Sequence, residues 1–239
     1  MRRFWREARA VVGAGGWGIT LDGRPVKTPA RAELTLPTAA LAEAVAGEWT
    51  GAGETVDPRA MPLTGLANAA IDRVAADRDG FAASLARYAE SDLLCYRAEA
   101  PAELVARQAR AWDPLLGWAR RRFDVDFAIT AGVAPVRQPE ATVARLGQAV
   151  AALDPFALAG LSPLVSIGGS LVTALALAED AVGLDDAWAA VSLDEQWQLD
   201  RWGADAEACA ALASRKRDFA AAKQFLELVG RDEVADEGD

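Results

Sequence analysis

The pattern of apolar and polar residues at the start of the chain is typical of short strands. Ala8 to Val12 and Trp17 to Leu21 are strand-like runs, with shorter pieces at Val26 and at Leu34 to Leu36. Asp22-Gly23 follows the second run and predicts a type I′ hairpin turn, because that turn needs positive φ at both central positions. The first part of the chain is therefore predicted to be β-rich.

Helical spacing takes over after this region. Thr38 is a predicted N-cap, and beyond Met61-Pro62 the pattern is helical almost throughout. Leu93 to Tyr96 and Val125 to Thr130 are predicted as strands within the helical part. From Glu140 to Val229 we expect five helices. The proposed breaks are Asp154-Pro155, Ser162-Pro163, Gly168-Gly169, Gly183 and Gly203.

These elements predict an α+β fold with two domains. We expect a small β-rich N-terminal domain over residues 1–60 and a mainly α-helical bundle domain over residues 61–239. A helix is expected to begin near Pro101, and Trp112-Asp113-Pro114 should kink or break it. The last residues form an acidic tail that we expect to be solvated and frayed. Its acidic members are Asp232, Glu233, Asp236, Glu237 and Asp239.

One helical face near residue 195 is unusual. Trp188, Val191, Glu195, Gln198 and Trp202 recur at spacings of three or four and would share a face of one helix. That face is apolar at both ends and carries a carboxylate and an amide in its middle. A buried carboxylate is costly unless it is paired, so the face either packs against a partner group or is presented to another molecule.

A catalytic interpretation of this face is possible but poorly supported. Asp194 and Glu195 are adjacent on the helix and point about 100° apart, so a paired-carboxylate site needs a second acid from elsewhere. A salt bridge from Glu195 to an arginine such as Arg201 or Arg215 is the better-supported interpretation.

Composition removes several classes of function. Histidine is absent, which excludes a serine- or cysteine-histidine hydrolase and leaves no zinc or copper constellation. The net charge of −10 argues against nucleic-acid binding. Cys95 and Cys209 are far apart in sequence and are expected to be free thiols. We therefore expect no metal and no cofactor.

Two further motifs are discounted. Gly13 to Gly18 matches the G-x-G-x-x-G pattern, but a strand-like run follows where a dinucleotide site needs a helix. Pro155 to Ala178 lacks charge over 24 residues, yet its prolines and glycines favour two buried helices over a membrane span.

The N-terminus has no signal-peptide pattern, so secretion is not expected.

Six segments, called the motif segments below, together resemble one family. They are Leu21 to Pro29, Glu48-Trp49, Met61 to Thr64, Tyr96 to Ala98, Gln108 to Pro114, and Leu193 to Gly203. In this order, over nearly the whole chain, they resemble the assembly chaperones of F-type ATP synthase that hold the free alpha subunit. The single residues that carry this resemblance are Asp22, Gly23, Arg24, Lys27, Pro29, Trp49, Pro62, Trp112, Asp113, Pro114 and Gly203.

The resemblance implies a fold and a function. It implies a β-containing N-terminal domain joined to an orthogonal helical bundle, and a protein that is not an enzyme and uses no cofactor. Its partner would be the alpha subunit, kept from aggregating until the catalytic head assembles with beta subunits. Eukaryotic members work in the mitochondrial matrix. This chain has no transit-like leader and is expected to act in a bacterial cytoplasm, as a monomer when free.

The resemblance also nominates a binding site. The acidic position that matches Glu195 is the expected contact residue, with Gln198, Trp202 and Asp194 beside it and Trp197 turned inward. Two alternatives stay open at this point. One is a carboxylate-based enzyme, which needs a second acidic group within roughly 5–10 Å of Glu195 in a concave pocket. The other is a structural interaction module for a different complex.

Overall fold

The structure is a computed structural model that describes residues 2–132, 134–203 and 205–230. The chain is 63% helical with 11% in strands, and a small strand region precedes the helices. This confirms the predicted α+β fold. The acidic residues of the predicted tail lie outside the described residues.

A four-stranded antiparallel sheet begins the chain, and a smaller parallel pair lies further along. In the larger sheet β1 pairs with β2, and β2 also pairs with β3 and with β4. In the smaller sheet β5 pairs with β6. The strands are β1 Ala8–Gly13, β2 Gly16–Leu21, β3 Arg24–Pro25, β4 Thr35–Leu36, β5 Tyr96–Arg97 and β6 Thr130–Ala131.

Helices make up most of the remainder. Short 3₁₀ helices cover Pro58–Ala60, Arg87–Glu90 and Leu93–Cys95, and a π-helical turn covers Ala70–Val74. The α-helices are α1 Ala39–Gly51, α2 Pro62–Ala69, α3 Arg78–Ala86, α4 Ala102–Phe123, α5 Glu140–Ala151, α6 Pro155–Gly168, α7 Leu171–Ala178, α8 Leu184–Val191, α9 Leu193–Trp202 and α10 Ala206–Val229.

Local signals near the N-terminus predict the backbone well. Asp22 and Gly23 have φ of 48° and 78°, which confirms the hairpin turn between β2 and β3. Thr38 caps α1 by accepting a hydrogen bond from the Leu41 amide at 3.2 Å. The glycine run joins the antiparallel strands β1 and β2 and opens no helix, so the dinucleotide interpretation is rejected.

Two compact units divide the chain. The first comprises the described residues within 1–78, 154–160 and 224–239, and the second those within 79–153 and 161–223. In the first unit Ile19 and Leu36 of the sheet are buried with Leu41 and Val45 of α1 and with Phe225. The predicted domain boundary after residue 60 stays a prediction.

The second unit has a strongly apolar interior. Residues Leu171 to Leu177 of α7 are all buried, as are Trp112 and Leu116 of α4 and Leu146 of α5. Cys95 and Cys209 are free, and burial raises the pKa of the Cys95 thiol to about 12. In the described part of the chain no helix is long and apolar enough to cross a membrane.

The strand predicted over Leu93 to Tyr96 is wrong for most of its length. Leu93–Cys95 forms a 3₁₀ turn, and only Tyr96 belongs to a strand. The cause is Asp92, whose carboxylate accepts hydrogen bonds from the amides of Leu94 at 3.0 Å and Val172 at 2.9 Å. This cap bends the chain back where the apolar run alone predicts extension.

The strand predicted over Val125 to Thr130 is also wrong, although its alternation is real. Val125 and Phe127 are buried with an exposed residue between them, but only Thr130 belongs to a strand. A side chain takes the place of a partner strand in bonding to this backbone. The Gln138 amide group accepts from the Ala128 N–H at 3.1 Å and donates to the Ala128 carbonyl at 2.9 Å.

Helix boundaries differ from prediction at three places. Six helices, not five, lie within the described residues from Glu140 to Val229, because Ser192 separates α8 from α9. The Ser192 backbone amide and hydroxyl both donate to the Trp188 carbonyl, at 3.0 and 2.6 Å, and Ser192 ends α8 with a φ of −99° and a ψ of 7°. Pro163 lies inside α6 and Pro114 inside α4, so neither proline breaks its helix.

Candidate functional site

Helix α9 presents three of the predicted residues on one exposed face. Glu195, Gln198 and Trp202 are all exposed, and we call these three residues the α9 ridge. The predicted face does not continue backward from them. Trp188 and Val191 belong to α8, and Trp188 is buried. The break at Ser192 therefore shortens the predicted face to its C-terminal half.

The two tryptophans of α9 have opposite environments. Trp197 is 7% exposed, whereas Trp202 is 74% exposed. This confirms that Trp197 turns inward while Trp202 is presented to solvent. Five residues of separation on a helix place the two side chains about 140° apart, which permits these opposite environments. Arg107 lies 4.7 Å above the Trp197 ring and Arg201 lies 5.9 Å from it, so cations flank the buried ring.

Glu195 has an arginine partner on the neighbouring helix. The Arg215 guanidinium donates to its carboxylate at 2.6 Å, and both side chains are partly exposed. The predicted salt bridge is therefore present. An ion pair this exposed contributes at most about 1 kcal/mol to stability.

A groove between α4 and α9 lies on one side of the ridge. It has a volume of about 660 Å³ and mostly apolar walls. We call it the α4–α9 groove. Its lining residues include Tyr96, Arg97, Ala98, Pro101, Leu104, Gln108, Asp194, Trp197, Gln198, Arg201 and Trp202.

A second groove between α9 and α10 lies on the other side, with a volume of about 340 Å³. We call it the α9–α10 groove. Gln198 and Trp202 line both grooves, so the exposed indole lies between two concave surfaces. In the described part of the chain, Glu195 and Arg215 are the charged residues that line this second groove. Glu195 thus faces a cation in this groove. A two-carboxylate hydrolase requires a second carboxylate, and the described residues that line the groove include no other acidic side chain.

Gln108 joins three motif segments at the floor of the α4–α9 groove. Its side-chain oxygen accepts from the Ala98 amide at 2.8 Å, and its nitrogen donates to the Asp194 carboxylate at 2.8 Å. Gln108 is buried and Asp194 is half-buried. Asp194 is therefore held by a buried partner, whereas Glu195 of the ridge is paired with a partly exposed arginine.

Arg97 lines the same groove and lies against the buried side chain of Trp112. Arg97 lies 5.1 Å above the Trp112 ring and is paired with Asp113 at 2.8 Å. The Trp112 indole N–H donates to the Ala190 carbonyl at 2.8 Å, and this side chain is fully buried. The motif residues of α4 thus fix the position of the groove wall, and Pro114 follows them within the same helix.

The motif segments of the first unit form a separate cluster. The Glu48 carboxylate accepts from the amides of Leu63 at 2.8 Å and Thr64 at 2.7 Å, and from the Thr64 hydroxyl at 2.6 Å. It thereby caps the N-terminus of α2, which begins at Pro62. Trp49 accepts a hydrogen bond from the Trp5 indole on its carbonyl oxygen at 3.1 Å.

The remaining motif residues also shape the backbone. The Asp22 carboxylate accepts from the Glu7 amide at 2.9 Å. Arg24 begins β3, and Lys27 forms an isolated bridge with Glu33. Gly203 ends α9 with a φ of 94°, a value that side chains rarely adopt. Pro29 lies in the turn between these two bridge residues.

Asp92 is a polar residue that the sequence interpretation missed. It is fully buried, and desolvation raises the pKa of its carboxyl to about 6. The hydrogen bonds that it accepts favour the charged form and lower the pKa, but desolvation is the larger effect. Its signal was present in the sequence: an Asp directly before a short apolar run is a typical cap. The described residues include no group of three or more acidic or cysteine side chains that could hold a metal ion.

Known proteins match this chain in sequence and in structure. The family described as ATP12 chaperone protein matches residues 2–120. Protein atp12, mitochondrial, of Schizosaccharomyces pombe is 27% identical over 214 residues, which cover 84% of this chain and 74% of the relative. The sequence resemblance is therefore found in a curated relative as well.

Solved structures match over almost the full length. The crystal structure of Atp12 from Paracoccus denitrificans has a TM-score of 0.91 and 44% identity, and covers 95% of this chain and 98% of that chain. A protein from Agrobacterium tumefaciens has a TM-score of 0.91 and 40% identity, with 95% and 85% covered. Identity at this level over whole chains confirms the resemblance carried by the motif segments: the chain belongs to the ATP12 chaperone family.

Proposed function

We propose that this chain is an assembly chaperone of F-type ATP synthase that binds the unassembled alpha subunit. It covers the assembly surface of that subunit, prevents its aggregation and hands it on as the catalytic head forms. It acts in a bacterial cytoplasm, without a cofactor and without catalysis, and it is a monomer when free. Membership of the ATP12 chaperone family supports the general role, and the α9 ridge supports the mode of binding.

The observation that carries the proposal is the exposed indole of Trp202 between two grooves. At 74% exposure, a side chain this large loses apolar hydration when a partner covers it. Tryptophan is also the residue type most enriched among the energetically dominant positions of protein interfaces. The grooves on both sides give a partner concave surface to fill, and their volumes suit side chains.

The free alpha subunit of an obligate oligomer presents an apolar assembly surface that would otherwise aggregate. A chaperone without a nucleotide cycle needs moderate affinity, so that the correct partner displaces it by mass action. A single large apolar anchor with polar neighbours meets this requirement better than a wide apolar face.

Glu195 and Gln198 fix the position and orientation in which the alpha subunit binds. Glu195 is held by one exposed arginine, so a basic or amide group of the alpha subunit can compete for its carboxylate without leaving a buried charge unpaired. Asp194 contributes differently. Because it accepts from Gln108, it positions the wall of the α4–α9 groove and makes a partner contact only through that wall.

The test is co-expression with the alpha subunit of the same organism, followed by co-purification and a light-scattering assay of alpha-subunit aggregation. We expect the wild-type chain to co-purify and to suppress aggregation. Trp202→Ala should weaken capture at least tenfold without changing the thermal melt of the chaperone. A different dominant partner in the pull-down, or undiminished capture by Trp202→Ala, would contradict the proposal.

A matched control distinguishes the specific effect of Glu195 on capture from the effect of losing any exposed ion pair. Asp185 on α8 is paired with Lys216 of α10 at 3.0 Å, much as Glu195 is paired with Arg215. Glu195→Gln should reduce capture of the alpha subunit, whereas Asp185→Asn should leave it unchanged. Equal capture by both variants would remove Glu195 from the contact.

A further inference from the structure

Strand β1 forms an edge of the larger sheet, since it pairs only with β2 in the described part of the chain. The register pairs Arg9 with Thr20 and Val11 with Gly18. The Asp22 amide donates to the Glu7 carbonyl at 3.0 Å, which identifies the hydrogen-bonded pairs as every second residue from Glu7 onward. The backbone groups of Arg9, Val11 and Gly13 therefore point toward β2.

The intervening residues point their backbone groups the other way. The N–H and C=O groups of Ala8, Ala10 and Val12 are directed to the open side of β1. No hydrogen bond joins these groups to any residue that the structure describes. The same alternation of backbone direction holds on the far side of β2. There Ile19, the partner of Ala10, accepts from the Val26 amide at 2.8 Å.

Within the described residues, strand β1 lacks three of the devices that protect strand edges from other chains. Natural edges are shortened, bulged, or interrupted by proline or by charges that point inward. Strand β1 is six residues long and contains no proline. Val12 is 75% exposed and Val11 is 37% exposed, and the strand carries one charge, on the outward-facing Arg9. The edge can therefore accept another strand.

The charge around the edge favours an acidic occupant. Residues 2–13 contain four arginines and one glutamate, a net charge of +3 in a chain whose net charge is −10. The guanidinium of Arg9 is exposed, and its ion pair with Glu7 is exposed as well. Exposed pairs are weak, so Arg9 is free to exchange Glu7 for a carboxylate on an added strand.

We propose that the β1 edge binds an extended, acidic segment of a partner protein by strand addition. The main chain of the segment bonds to the outward groups of Ala8, Ala10 and Val12, which requires no particular sequence. Sequence preference comes from the solvent face, where Arg9 and Val11 lie. An acidic residue lies opposite Arg9 and an apolar β-branched residue lies opposite Val11, two positions away on the segment.

This surface belongs to the first unit, whereas the α9 ridge belongs to the second. The inference does not depend on the identity of the partner of the ridge. Undiminished capture of the alpha subunit by Trp202→Ala would contradict the role of the ridge and leave the proposed edge site intact. Failure of the edge site would in turn leave the role of the ridge intact.

Proline substitution at position 12 tests the edge. Val12→Pro removes an outward N–H and adds a ring on the open side, while the β1–β2 hydrogen bonds stay in place. Val12→Thr is the matched control, because it keeps the N–H and the β-branched shape. The probe is a fluorescent peptide of about eight residues, with alternating valine and threonine and one central glutamate.

We expect the peptide to bind the full-length chain and to slow hydrogen exchange at the amides of Ala8, Ala10 and Val12. Val12→Pro should weaken its binding at least tenfold, measured by fluorescence anisotropy, while Val12→Thr binds as the wild type does. Replacing the central glutamate by lysine should also weaken binding. Equal thermal melts of the two variants establish that the sheet is intact.

Three results would overturn the proposal. The first is the absence of any peptide binding, and the second is equal binding by Val12→Pro and Val12→Thr. The third is a concentration-dependent dimer in light scattering that Val12→Pro abolishes, because the edge would then pair with a second copy of this chain.

Discussion

Glu48 and Glu195 both lie in motif segments, yet their surroundings differ completely. Glu48 is half-buried and accepts three hydrogen bonds from the start of α2, two of them from backbone amides. Glu195 is exposed and meets only the Arg215 guanidinium among the hydrogen-bond partners described. The Glu48 carboxylate is fully engaged in hydrogen bonds within the fold, while the exposed Glu195 carboxylate can exchange its partner. A sequence motif therefore does not by itself distinguish a carboxylate that the fold holds from one that is available to a partner.

The second unit contains its own counterpart of Glu48. Asp92 accepts from the Val172 amide near the start of α7, as Glu48 does at the start of α2. In both cases a carboxylate from an earlier segment satisfies amides that a helix N-terminus leaves unpaired. Stability measurements should therefore separate these two residues from the α9 ridge.

The largest expected effect on stability is at Trp197. Trp197→Ala removes a buried indole and should lower the free energy of unfolding by about 3 kcal/mol. Trp202→Ala on the same helix should change it by less than about 0.5 kcal/mol, because the side chain is exposed. Urea denaturation of both variants measures the difference. Similar losses in the two variants would mean that the ridge is part of the core.

A pH-dependent effect is expected at Asp92. Its folded pKa of about 6 lies above the unfolded value of about 3.9, so the folded chain binds the proton more tightly. This contribution to stability is fully present below about pH 4 and is lost as the pH rises through about 6. Relative to Asp92→Asn, the wild type should gain about 2 kcal/mol between about pH 7 and 4.

Urea denaturation of the wild type and Asp92→Asn across this pH range measures that gain. The carboxamide does not titrate, so the difference between the two proteins isolates the Asp92 carboxyl. Parallel stability curves would contradict the raised pKa.

The effect at Glu48 should be somewhat smaller. Glu48→Ala leaves the amides of Leu63 and Thr64 without their acceptor and should cost about 2 kcal/mol of unfolding free energy. Glu43 lies on the same helix and is exposed, so Glu43→Ala is the matched control and should change stability by less than about 0.5 kcal/mol. Thermal unfolding of the two variants provides the comparison, and equal shifts would be evidence against the cap.

The parts of the fold that were predictable are those that neighbouring residues determine. The Asp22-Gly23 turn and the Thr38 cap depend on backbone preferences and contacts a few residues away. The strand predicted over Leu93 to Tyr96 failed because Asp92 bonds to Val172, which is 80 positions away in the chain. No local pattern contains that contact.

The candidate site was predicted to a similar extent. Helical geometry separates Trp197 from Trp202 correctly, since only rotation about one helix is involved. The inclusion of Trp188 failed because the backbone leaves the helix at Ser192, and serine is compatible with continuation as well as with termination. The internal partner of Asp194 required Gln108, which a different helix supplies.

The smallest effect on stability, and the sharpest test of the opening comparison, is a charge exchange at Glu195. Glu195→Arg combined with Arg215→Glu keeps an ion pair between α9 and α10 but moves the carboxylate to the other helix. Because exposed pairs contribute little, the free energy of unfolding should change by less than about 0.5 kcal/mol. If Glu195 contacts the alpha subunit directly, capture should stay impaired in the double variant. If its role is only to pair with Arg215, the exchange should restore capture that Glu195→Arg alone removes.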